Sequence, residues 1–166
     1  MSAIYYTVVT IHVLAALFWL GGMFFLAVIG APMLRALEPP ELRQRIFREM
    51  GRRFRTAGWI AITILLITGV LNLYFRGWLQ WDRVLGSREF WSTSVGHSLA
   101  WKLTAVTAML TVSGIHDFIL GPAAGRQKPG SSRALAFRRH ASYLARANAV
   151  IGIVVVIAAV RLARGG

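Results

Sequence analysis

"MSAIYYTVVTIHVLAALFWLGGMFFLAVIGAPML", residues 1–34, contains no Asp, Glu, Lys or Arg. A helix crosses the hydrocarbon core of a bilayer in about 20 such residues, so this run spans a membrane unaided. A secretory signal peptide fits it poorly, because it lacks a basic leading region and is far longer than the roughly 7 to 15 apolar residues of such a peptide. Residues 56–75 form a second uncharged run of sufficient length. The shorter runs 103–116 and 147–160 become crossings when extended backward through Lys102 to about Gly96 and through Arg146 to about Ala141. The sequence thus predicts an all-α integral membrane protein, a four-helix bundle with spans near 4–29, 57–76, 96–120 and 141–162 in a single domain, 1–166.

Composition agrees. Of 166 residues, 56% are hydrophobic and 15% charged, with mean hydropathy +0.56; soluble domains carry about a quarter charged residues. The absence of Cys excludes disulfides, thiolate metal sites and cysteine nucleophiles. The net charge of +13 is concentrated in two segments. Arg35, Arg43, Arg45, Arg48, Arg52, Arg53 and Arg55 face three Glu between the first two spans, and residues 126–139 hold five basic residues and no acid. Between the second and third spans, Arg76, Arg83 and Arg88 are offset by Asp82 and Glu89. The positive-inside rule places the two basic segments in the cytoplasm and both termini on the outer, periplasmic side of a bacterial inner (cytoplasmic) membrane. Arg161 and Arg164 are the minority against this orientation. The basic segments read as topology signals touching anionic membrane lipid, and not as a nucleic-acid surface.

Tyr5, Tyr6, Trp78, Trp81, Phe90 and Trp91 mark the outer interface, and Phe54, Trp59 and Tyr143 the inner one. In "PPELRQRIFREMGRRF" the apolar residues Leu42, Ile46, Met50 and Phe54 recur every four positions among Arg. That pattern predicts an amphipathic helix over about 40–54 lying on the cytoplasmic face of the membrane. "GPAAGRQKPGSSR", 121–133, predicts a flexible connector. The sequence shows no clear repeat relating its halves.

Inside a bilayer the polar residues are the informative ones, because each requires a partner or water. At about 1.5 Å per residue, His12 lies roughly 12 Å and Lys102 roughly 9 Å in from the outer surface, with His97 nearer the interface. His116 and His140 lie towards the cytoplasmic side. By depth, His12 pairs with His97 or Lys102, and His116 with His140. Lys102 and His116 fall within roughly 40° of one helix face at about 100° per residue. His12 shares a face with Ala15, Trp19, Gly22 and Leu26, and Gly21 and Gly22 admit a neighbouring helix or a flat ligand. Imidazole ligates haem iron and transition metals, and Arg76 and Arg146 suit haem propionates. Each residue also has a structural reading: the histidines as helix-to-helix hydrogen bonds, Lys102 and Arg146 as snorkelling cations, His116 with Asp117 as a helix end.

"IHVLAALFWLGGMFFL", "LLITGVLNLY", "WKLTAVTAML" and "HDFILGP" resemble, over essentially the whole chain, the CopD-like copper-resistance membrane domain. More distantly they resemble the HemJ-type protoporphyrinogen oxidases. The second resemblance implies haem b, with His12 and Lys102 at the cofactor; the first implies copper movement, with metal handling at His12 and His116. Soft sulfur ligands select Cu(I), and this chain has no Cys and only five scattered Met. The sequence is therefore read first as a haem b-binding redox or electron-transfer component, with His12 as axial ligand and Lys102, His97 or His116 as the second. His116 with His140 would form an inner site. The alternative is a CopD-type copper permease. A redox role implies a membrane oxidoreductase with a quinone or other redox partner, and the Gly faces suit a homodimer. No residue marks a catalytic centre.

Overall fold

The computed structural model describes residues 3–125 and 132–165. All regular structure in them is helical. Four helical stretches, Ala3–Arg35, Pro40–Phe75, Ser94–Ala123 and Arg139–Ala163, are long and apolar enough to cross a membrane. Their outward faces are apolar, with Leu17, Val28, Ile60 and Val150 all more than half exposed. Such surfaces are stable only against lipid or protein, while the helices satisfy their backbone groups internally. The protein is therefore a multi-pass all-α membrane protein.

The chain forms two compact units, 1–85 and 86–166. In the first, α1 (Ala3–Phe25) runs through a π-helical turn, Leu26–Gly30, into α2 (Ala31–Arg35), and α3 (Pro40–Phe75) returns alongside. In the second, α4 (Arg88–Ser92) leads into α5 (Ser94–Gly114), a π-helical turn at Ile115–Leu120, α6 (Gly121–Gly125) and the return helix α7 (Ser132–Ala163). Ser87 and Thr93 cap α4 and α5, accepting from Phe90 N at 3.4 Å and Gly96 N at 3.0 Å. These two π turns each precede a proline, Pro32 or Pro122, unlike a third at Trp81–Leu85. A proline ring collides with the carbonyl four residues back, and the wider turn makes room for it. Just before each, Ala31 N–H reaches Leu26 O and Gly121 N–H reaches His116 O, five residues back.

The first hairpin is antiparallel with a definite register. Tyr5 meets Phe75 edge-on at 5.8 Å between ring centroids, His12 meets Thr68, and the Arg43 guanidinium donates to the Arg35 carbonyl at 3.2 Å. Between these points aromatic rings lie on glycines. A Cβ on Gly58 would come 3.4 Å from the Trp19 indole, and one on Gly22 would come 2.5 Å from Phe54 Cε2. Tyr5, Val8, His12, Ala15, Trp19 and Gly22 alternate spacings of three and four, the seam of two helices packed at a shallow angle.

Three expectations change. The segment 40–54 is not a separate surface helix but the first part of α3. The later half of its stripe is turned to the first helix, with Phe54 at Gly22 and Met50 at Gly30, because the register brings these side chains opposite glycines, while Leu42 is exposed. On its other side Arg52 and Arg53 donate to Glu49 at 2.7 and 2.6 Å. In this charged stretch, outside the apolar part of α3, the bonds from Arg53 and then Arg52 hold the Glu49 carboxyl below its usual range. The expected connector is helical over Gly121–Gly125, and its residues 126–131 lie outside the described residues.

Third, the halves correspond. At an offset of ninety residues Ala15 matches Ala105, Trp19 matches Met109, Gly58 matches Asn148, Ile62 matches Gly152 and Thr68 matches Ala158, and all ten are buried. Pro32 matches Pro122 by the same offset. Few residues are identical between the halves, which is why the correspondence is seen in burial and not in the letters.

Candidate metal site

His12 lies half-buried on the inward seam of α1. Its Nδ1 is 2.7 Å from Thr68 Oγ1, and Thr68 is buried on α3. The Thr68 hydroxyl has one proton, which goes to the Ile64 carbonyl at 2.6 Å. Oγ1 therefore accepts from His12, which donates through Nδ1–H and carries its lone pair on Nε2. A hydrogen bond on one ring nitrogen fixes which nitrogen can ligate, and it holds the ring in orientation. In the membrane interior such a bond is worth about 0.6 to 2 kcal/mol. Gly69 adds room, with a Cβ there 3.7 Å from His12 Cε1.

One turn beyond Thr68 on the same face of α3 is Asn72. Its Oδ1 is buried and has no hydrogen-bond donor among the described residues. A buried acceptor left unmet costs about 1 to 3 kcal/mol. Thr68 and Asn72 were visible in the sequence as polar residues of the second span, four apart, but nothing local showed that His12 faces Thr68.

The other candidates lie in the second hairpin. Lys102 is half-buried on the face of α5 that carries Ala105 and Met109, the place His12 holds in the first. His97 is exposed in the first turn of α5 and donates through Nδ1 to the Thr93 carbonyl at 2.9 Å. His140 is exposed on α7 and donates to the Ala136 carbonyl at 2.8 Å. His116 lies in the π turn and donates to Asp117 Oδ1 at 2.8 Å, so Asp117 orients it. Counting helical faces at 100° per residue from Lys102 holds only to Gly114, where that turn begins. Asn148 of α7 donates to Ser113 Oγ at 2.8 Å, the buried polar bond of this hairpin.

Thus His12 belongs to one unit and Lys102, His97, His116 and His140 to the other. Among the described residues no three His, Asp or Glu side chains gather as a metal cluster. Of the arginines assigned to propionates, Arg76 stacks over Trp78 at 5.0 Å and Arg146 is exposed on α7.

A family profile described as "CopD: Copper resistance protein D" matches residues 48–162, from α3 to the end of α7. An uncharacterized protein of Aquifex aeolicus (strain VF5) is 40% identical over 65 residues. That match takes in 39% of this chain and 44% of the relative, so the chain spans under half of that relative's length. No solved structure matches.

Proposed function

Because the chain belongs to the copper resistance protein D family, we propose that it moves copper across the bacterial inner membrane, with His12 as the outer station and His116 as the inner one. The family match over residues 48–162 carries this reading. It links the protein to copper resistance, so copper replaces haem b as the first reading; it lends no support to haem, iron or electron transport. The chemistry of the two histidines supports it further. Each donates through Nδ1 to a fixed partner, Thr68 or Asp117, and a hydrogen bond of that kind is what orients metal-ligating imidazoles. His12 lies before the matched segment and His116 within it. By the distribution of arginine, both termini lie on the periplasmic side and His116 near the cytoplasm.

The test is cellular copper measured by elemental analysis, in cells expressing the protein and in vector controls. Copper content should rise with expression and return to the vector level in His12→Ala, with His116→Ala also lowered. Equal copper content in expressing and control cells would remove the reading. A Soret band in the purified protein that disappears with His12→Ala would restore haem b.

A further inference from the structure

The arginine-rich start of α3 belongs to the same helix as its span, so it continues the direction of the span and does not turn to lie along the membrane. At about 100° per residue, Arg45, Arg48 and Arg52 fall within about 60° of one another, on the side away from Met50 and Phe54. All three are exposed. We propose that Arg45, Arg48, Arg52 and Arg53 bind the phosphate of an anionic phospholipid, in the leaflet that meets the α2–α3 end of the first hairpin.

These four arginines line a hollow of about 500 Å³ together with Glu49. Glu49 accepts from Arg52 and Arg53 and so holds both guanidiniums in place. Arg45 and Arg48 have no hydrogen bond or ion pair among the described residues. Four cations against one carboxylate leave an excess of positive charge. A phosphodiester presents a pair of free oxygens, which a planar guanidinium binds with two parallel hydrogen bonds. Arg43 carries the same charge but is turned to the chain itself, donating to the Arg35 carbonyl and lying 4.0 Å from Glu38.

Depth selects a lipid over a soluble anion. At about 1.5 Å per residue, Arg52 and Arg48 lie roughly 35 and 40 Å along α3 from Phe75, at its opposite end. That is past a hydrocarbon core of about 30 Å and within the roughly 40–45 Å that includes both headgroup layers. Alongside, the first helical stretch is still apolar: its Gly22 and Gly30 meet Phe54 and Met50, and near them Val28 and Met33 are each 68% exposed. Such a wall is stable against acyl chains, whose phosphates then reach the level of the arginines.

Native mass spectrometry tests this on the full chain, delipidated in mild detergent and titrated with phosphatidylglycerol or phosphatidylcholine. The wild type should bind phosphatidylglycerol more tightly. Arg48→Gln should weaken that binding about fivefold, and Arg45→Gln combined with it about 25-fold. Arg43→Gln, which removes the same charge from the same helix, should leave it unchanged. Equal affinity for the two lipids, or an equal loss in Arg43→Gln, would overturn the site and leave the arginines as a diffuse topology signal. Tighter binding of inorganic phosphate or of a polyglutamate peptide, with the same dependence on Arg45 and Arg48, would overturn the lipid as the ligand.

Discussion

In the first hairpin Trp19 lies against Gly58; in the second, Met109 and Asn148 occupy those places. The first joins its helices with His12 and Thr68, and the second with Asn148 and Ser113. His12 and Thr68 are replaced in the second by Lys102 and Ala158, so the polar bond sits at a different level in each hairpin. The contrast separates two uses of a buried polar bond. An amide that donates to a hydroxyl holds helices in register. An imidazole held by a hydroxyl fixes the register too, but it also presents a lone pair of set direction. A shared framework thus carries an amide-to-hydroxyl bond in one half and an imidazole-to-hydroxyl bond in the other.

The contrast can be broken at its reactive point by giving the first hairpin the residue of the second. His12→Lys should reduce expression-dependent copper accumulation to the vector level, measured in cells with equal amounts of protein in the membrane. Accumulation that persists would mean that the imidazole is not what distinguishes the halves. Next in size is the packing contrast. Gly58→Leu forces a side chain against Trp19 and should destabilise the protein by about 1 to 3 kcal/mol, read from unfolding in detergent. Stability equal to wild type would show that the close approach of α1 and α3 is not needed. Asn148→Leu removes the bond to Ser113 and should cost about 0.6 to 1.7 kcal/mol while copper accumulation stays normal. A loss of copper accumulation there would tie the Asn148–Ser113 bond to copper as well. The smallest effect on stability belongs to Thr68→Val, about 0.6 kcal/mol. A larger loss would make the His12 bond mainly a structural one.

The four spans were legible in the sequence, because apolar length and the absence of charge are local properties. The run 1–34 announced the helix that ends at Arg35, and Pro40 announced the start of α3. The stripe Leu42, Ile46, Met50 and Phe54 was also legible, but not what it faces. A lipid surface and a neighbouring helix ask for the same pattern, and only the register of α3 against Gly22 and Gly30 chose between them. At the site, His12 stood out as an imidazole deep in an apolar run. Its partner lies 56 residues away, beyond any periodicity read along one helix.

The sequence alone determined the solvent, the number of crossings and the polar residues that a bilayer forces to find partners. Hydropathy, helix rise and charge distribution need no knowledge of neighbours. The tertiary structure decided which of those residues meet. It placed Thr68 under the imidazole, left Asn72 Oδ1 without a donor among the described residues, and gave the two hairpins matching burial at an offset of ninety residues. These depend on the register between helices, which is fixed where large side chains settle on small ones. Trp19 on Gly58 and Asn148 bonded to Ser113 are different answers to the same plan, which survives in burial after the residues have diverged.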